Sequence, residues 1–287
     1  MKLTGNLVPL SLSDSALTVA SVEDCRALGR SVAAHWLAHT PLPLIDTTLT
    51  MEQAECARSE FLSCLQPLLG APLGYKAAAI TPPAQRDLGI HEPLGGAYLA
   101  GMFRMLDGND AVVAAAYGTR PIVEAKLVVT VRDEGINDAR TPAQVARHLA
   151  YVLPSIELGD SLVQPSQKLT GAILTLYNVG ARAMLNGPPI AFDTMSHADA
   201  LRELVVTTRD GTGKILEVER GTSIMGDPLQ AVLWIIHDQN ARGVRLRAGD
   251  RLGLGALSRV RPAPGLIFDT TWEGLQKEPV KLTVRFE

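Results

Sequence analysis

Aromatic side chains are scarce, 5% of 287 residues. So few rings supply no stacking platform for single-stranded nucleic acid. Basic charge is not in excess either. Against 27 Lys and Arg stand 30 Asp and Glu, a formal net charge of −3, and the basic residues are scattered. Phosphate backbones and anionic membrane surfaces need a concentrated basic face, so neither is expected as a partner. No apolar run approaches the ~18 residues of a membrane span. Lys2 is followed by only a short apolar stretch, Leu7 to Leu10, and then by Asp14. That is too little for a secretory signal core. Cysteine is rare as well. Cys25, Cys56 and Cys64 match no CxxC metal or redox pattern. An odd count without a framework suggests unpaired thiols in a reducing cytoplasm.

What is present is ordinary globular composition, 46% hydrophobic and 20% charged. The length allows one large domain or two unequal ones. The first seventy residues read as helical. Val22 to Leu37 spaces Cys25, Leu28, Val32, His35 and Trp36 at helical intervals. Thr50 and Gln53 form a capping box for a helix from Met51 to about Gln66, with Pro67, Gly70 and Pro72 as stop signals. Strand patterns dominate thereafter: Tyr75–Ile80, Val123–Val131, Ser155–Leu158, Ile173–Val179, Leu204–Thr208, Ile215–Val218, Leu252–Leu257 and Val280–Phe286. Asp210-Gly211-Thr212-Gly213 reads as a hairpin turn, and its glycine spacing is wrong for a phosphate loop. Thr141-Pro142 opens a helix expected to reach Leu153, and Pro228–Arg242 reads as another. The expected fold class is α+β, a curved or rolled mixed sheet over residues 72–287 with a helical region over 1–71.

Several segments in register resemble the fumarylacetoacetate hydrolase family. They are Gly74-Tyr75-Lys76, Gln85 to Ile90 with Glu92-Pro93, Val123-Glu124-Ala125 and Tyr151 to Glu157. Gly226 to Trp234 and Leu246-Arg247-Ala248-Gly249-Asp250 continue the match. The similarity runs from about residue 50 to the end, on the hydratase/decarboxylase branch that holds the 2-keto-4-pentenoate hydratases and 4-oxalocrotonate decarboxylases. It implies a mixed β-roll, a homo-oligomer and a small keto-acid substrate. It also implies Mg²⁺ or Mn²⁺ held by a Glu-x-Glu pair and a later acid. Hard cations take oxygen ligands, and alternate residues of a strand share a face.

The sequence departs from that pattern where the metal belongs. Glu124 matches the first acid and Glu157 the third, but the second position is Lys126. An ammonium at the cation's place repels a divalent ion, so no metal cofactor is expected. The Asp-Asn-Ala-Ser-like stretch of relatives is absent from Gln167 to Ala172. Leu254-Gly255-Ala256 stands where relatives carry Thr-Gly-Ser, whose hydroxyls meet the substrate carboxylate.

The candidate catalytic residues are therefore Lys76, Glu124, Lys126 and Glu157, with Asp160, Leu254 and Ala256 at the substrate. Lys76 is an acid, a base or a carboxylate anchor, against the plain reading of a solvated strand-end lysine. Lys126 is a surrogate cation between the two glutamates, against an outward-facing charge on an abandoned site. His91 lacks a partner cluster, and His35 and His39, four apart on one helix, lack a third zinc ligand. Arg242, Arg245, Arg247 and Arg251 read as a solvated edge. The leading function is a hydratase or lyase acting on a keto acid, an enol acid or a related unsaturated carbonyl compound. A non-catalytic partner subunit and a metal-dependent carbon–carbon hydrolase are the alternatives.

Overall fold

The computed structural model describes residues 21–287. The stretch from Lys2 to Asp14, like the rest of the expected helical region before Ser21, lies outside the described residues. Two helices come first, α1 (Val22–Ala38) and α2 (Met51–Leu69). Thr50 and Gln53 close the expected capping box, each side chain bonded to the other's backbone N–H. The second helix runs through Pro67 instead of stopping there and ends at Gly70. A proline so near the end removes one backbone bond from a turn that is finishing anyway. Leu28, Val32 and Trp36 of α1 pack with Ala57, Phe61 and Leu65 of α2. Gly29 permits this approach, since a Cβ there would lie 2.3 Å from the Ala57 carbonyl oxygen. Cys25 and Cys56 form a disulfide between the two helices, with Cα atoms 5.9 Å apart. This corrects the expectation of unpaired thiols. Spacing alone could not show that two helices bring these cysteines together. Cys64 is free.

The chain then runs β1 (Pro72–Ala78), α3 (Pro82–Leu88), β2 (Leu94–Leu99), β3 (Phe103–Met105), β4 (Asp110–Val113), β5 (Pro121–Val131), α4 (Pro142–Arg147), β6 (Leu149–Asp160) and α5 (Gly171–Leu176). Next come β7 (Ala181–Asn186), β8 (Ile190–Ala191), α6 (Thr194–Glu203), β9 (Val205–Arg209), β10 (Ile215–Arg220), α7 (Pro228–Ala241), β11 (Arg251–Ala256), β12 (Ile267–Glu273) and β13 (Val280–Phe286).

Two expectations fail. The helix opened by Thr141 stops at Arg147, because the residues after it pair along β5, with Val152 opposite Val129 and Leu153 opposite Val128. The run from Ile173 is helical, not extended, because the Thr170 hydroxyl caps it by accepting from the Ile173 N–H. A short apolar run buried on all sides has no period that separates the two choices.

Eight strands form one sheet in the order β2-β1-β11-β5-β6-β7-β3, with β8 on β6. Five form a second, β10-β9-β12-β13-β4. One face of the large sheet meets the small sheet and α7, with Ala125, Leu127 and Val129 against Phe268, Leu282 and Val284. The other face carries Val128, Leu153 and Met184 against α1, α2 and α5. The architecture is the expected α+β roll. No helix among the described residues is long and apolar enough to cross a membrane.

After α5 the backbone turns through Asn178 and Val179 in the left-handed region, φ 56° and 46°. The Asn178 carboxamide accepts from the Ala97 N–H (2.8 Å) and donates to the Ala97 carbonyl (2.7 Å), latching the free side of β2. Asn178→Ala strands both buried groups of Ala97. It should cost ~1–3 kcal/mol of unfolding free energy, read from urea melts with an unchanged denaturant slope.

Candidate functional site

Strand β5 alternates cleanly. Val123, Ala125, Leu127 and Val129 enter one core, so Glu124 and Lys126 share the opposite face. The register with β6 is regular from Pro121 to Thr130 and sets Glu124 directly opposite Glu157. Like charges so placed repel. Lys126 resolves the conflict: its Nζ lies 3.1 Å from a Glu124 oxygen and 3.0 Å from a Glu157 oxygen. The contact that strand periodicity suggested is therefore present.

Lys76 arrives from farther away. On a flat sheet β1 and β6 would be three strand spacings apart, ~14 Å. Its Nζ nevertheless meets Glu157 Oε1 at 2.5 Å. Tyr98, one strand further out on β2, donates its hydroxyl to the same oxygen at 2.9 Å. Such contacts require the sheet to curl around this face. Arg259, just past β11, reaches in from the rim and binds Glu124 Oε1 at 2.6 Å. Lys76, Glu124, Lys126 and Glu157 are all buried, Glu157 to 1% exposure. Three cations face two carboxylates, leaving one positive charge in excess.

The charges set one another's protonation. Burial pushes the Glu124 carboxyl up, but Lys126, Arg259 and Lys76 outweigh it and hold it at about 2. Burial also opposes ionisation of Glu157, and Lys126 with Lys76 overcomes it, so this carboxyl too is held below its ordinary value. Lys126 gains more from Glu157 and Glu124 than burial takes away, and its ammonium is strengthened. Lys76 goes the other way. Burial lowers it, Lys126 lowers it further, and Glu157 compensates only in part.

The cluster forms the floor of a cavity of about 520 Å³, whose walls include Ala79, Ile80, Tyr177, Val179 and Gly180. Of the expected substrate contacts, Ala256 lies in this wall. Leu254 does not. It follows Leu252 into the opposite core by strand alternation, and the register break between Gly253 and Ala256 is what turns Ala256 to the Lys126 side. Asp160 borders the cavity, but its carboxylate accepts from the Thr119 and Arg120 N–H groups and twice from Arg182. Four donors make it an anchor for the turn before β5, not a free ligand for substrate. His35 bonds Thr40, and His39 lies 3.2 Å from Arg182. Arg242 is no solvated edge but pairs with Glu55 and Asp238.

Tyr98 and Arg259 escaped sequence reasoning. Tyr98 sits on a strand whose pattern, Leu-Gly-Gly-Ala-Tyr-Leu, has no alternation because both faces are buried. Arg259 lies beyond the end of its strand, where period gives no direction.

The residues do not suit a divalent cation. Two carboxylates remain, each already paired, and the Lys126 ammonium fills the space between them. Among the described residues no group of three His, Cys, Asp or Glu side chains converges as a metal site.

These pKa shifts set a pH dependence. A carboxyl held low in the folded chain stabilises it fully above its unfolded pKa, and that contribution is lost as pH falls through the folded value. Urea melts at falling pH should therefore show stability draining away between about pH 5 and pH 2. In Lys126→Met the pH-dependent loss should be smaller and should finish at higher pH, because both carboxyls then lie closer to their unfolded values.

No protein-family model matches the chain. Related sequences include 2-keto-4-pentenoate hydratase 1 of Dechloromonas aromatica, 26% identical over 267 residues, covering 92% of this chain and 95% of that one. The 2-keto-4-pentenoate hydratase of Paraburkholderia phymatum is 28% identical over 191 residues, 64% of this chain and 68% of the relative. Among solved structures, 4-oxalocrotonate decarboxylase from Pseudomonas putida G7, complexed with magnesium and adipate, superposes with a TM-score of 0.81 at 19% identity. The superposition covers 94% of this chain and 99% of that one. In sequence the chain is thus similar to 2-keto-4-pentenoate hydratases, and in fold it is similar to 4-oxalocrotonate decarboxylase.

Proposed function

We propose that the protein is a hydratase- or decarboxylase-type lyase acting on a keto acid, an enol acid or a related unsaturated carbonyl compound, without the divalent metal of its relatives. The observation that carries this reading is the Lys126 ammonium held between Glu124 and Glu157. Addition of water to a conjugated double bond and loss of carbon dioxide both pass electron density to the oxygen at C2 of a keto acid. A fixed ammonium beside that oxygen stabilises the developing charge without reorganising, and more strongly inside a dry cavity than in water. Lys76 and Glu157, 2.5 Å apart, form the proton-moving couple, and the Tyr98 hydroxyl holds Glu157 in place. Arg259 fixes Glu124 and adds positive charge at the rim for a substrate carboxylate. The apolar wall around Ile80, Leu174 and Val179 keeps bulk water from the reacting carbons.

The partner-subunit alternative needs a filled or collapsed site, whereas this cavity is open and lined with charge. The metal-dependent hydrolase needs the acid that Lys126 replaces. Residues 72–287 carry every member of the cluster in this reading, and the helical region before them closes one face of the roll.

Activity on 2-keto-4-pentenoate or a close homologue should survive EDTA. Lys126→Met should lower kcat by ~10²–10³-fold. Lys126→Glu should bring three acids together and create measurable Mg²⁺ binding by calorimetry. Tight Mg²⁺ binding by the wild type would overturn the surrogate-cation reading.

The same relationship leads us to infer a homo-oligomer, since a charge of −3 offers little repulsion between copies. Light scattering should give a mass above the 30.7 kDa of one chain. A cytoplasmic location completes the reading.

A further inference from the structure

Lys76 is held differently from Lys126, and the difference suggests more than proton transfer. Two carboxylates clamp Lys126. Lys76 Nζ meets one carboxylate oxygen, at 2.5 Å, and the Val179 carbonyl, at 3.3 Å. It borders the cavity from one side while Lys126 borders it from another. The approach of its stem is built with care. Gly96 lies beside it, where a Cβ would stand 3.0 Å from Lys76 Cγ and 2.4 Å from Val179 Cγ2. The carbonyl that meets Nζ belongs to a β-branched residue at φ 46°. That conformation is costly and persists only where the surroundings impose it.

The geometry points to Lys76 as a nucleophile whose Nζ forms an imine with the C2 carbonyl of a 2-keto acid, a covalent route where relatives use a metal. This rests on the keto-acid reading above and specifies its chemistry. Glu157 Oε1 takes a proton from the Lys76 ammonium. The neutral amine attacks C2, the carbonyl π pair moves to oxygen, and the proton that the now cationic nitrogen loses passes to that oxygen to give a carbinolamine. Glu157 then returns a proton to the departing hydroxyl. The nitrogen lone pair forms the C=N bond and water leaves. Amine and ketone become imine and water, with no net oxidation or reduction. The protonated imine is the electron sink, accepting the pair released from a C–H bond at C3 or from a breaking C–C bond. Lys126, beside the C2 oxygen, stabilises the negative charge that oxygen carries after the attack, and Arg259 keeps the substrate carboxylate. A buried amine beside a second cation is a recognised way to make lysine nucleophilic.

The experiment uses 2-oxopentanoate, a saturated keto acid with no carbon–carbon double bond to which water could add, with sodium borohydride as the hydride donor that reduces the imine. Intact-mass spectrometry should show one equivalent of reduced adduct. Peptide mapping of the wild type should place it on Lys76, a readout that needs no variant to fold. Lys76→Arg, which keeps the charge but cannot form the imine, should lose the adduct. Pentanoate, which lacks the carbonyl, should give none. Adduct on another lysine, or persistence of the adduct in Lys76→Arg, overturns the proposal. Calorimetric binding of 2-oxopentanoate with no trapped adduct overturns the imine and leaves the keto-acid reading standing. No binding of 2-oxopentanoate overturns both.

Discussion

Two carboxylates lie opposite each other on adjacent strands with hardly any water around them, and the ammonium of Lys126 is what makes that arrangement tenable. Burying an unpaired carboxylate costs several kcal/mol, and two side by side cost more. Among the described residues, Lys126 alone pairs with both. Lys76 and Arg259 then take one remaining oxygen each. Much else serves this group. The sheet curls until β1 and β2 face β6, and the strained turn at Asn178 and Val179 closes the gap. Gly96 leaves room for the Lys76 stem. Removing one charged partner strands the others, so the cluster behaves as a unit and its members should not be additive under mutation.

In the reading proposed above, an ammonium takes the place of a divalent cation on a similar fold. A divalent cation brings two positive charges and demands oxygen ligands in a shell. An ammonium brings one charge and directs three donors. The site makes up part of the difference with Arg259 at the rim and Lys76 beneath, both of them side chains and not exchangeable ions. Its polarity is thus built into the side chains of the cluster.

The parts of this site that were legible in the sequence were those governed by local period. Glu124 and Lys126 share a face because strands alternate, and a regular β5 was enough to bring Lys126 to both glutamates. Thr50 and Gln53 announced a helix start through a hydrogen-bonding pattern confined to four residues. What stayed hidden depended on distant chain. Leu149 to Leu153 continues a helical pattern on paper, and only the partner strand β5 makes it extended. Leu254 shares the core-facing side of Leu252 by simple alternation, and only a register break brings Ala256, two residues on, to the cavity side beside Lys126. Tyr98 and Arg259 reach the cluster through the curl of the sheet and the path of a loop, neither of which has a period. The Cys25–Cys56 disulfide likewise follows from how two helices cross.

The Asn178 latch has a consequence for the molecule as a whole. An outermost strand with free peptide groups is a template on which a foreign strand can add. In the large sheet β2 is such a strand, and its free side lies next to the charged cluster. By pairing a side-chain amide with the Ala97 peptide, Asn178 supplies at that point what an intruding backbone would otherwise supply. The closure that shapes the cavity therefore also guards the roll against edge-to-edge self-association, and loosening it would trade a defined pocket for a sticky border.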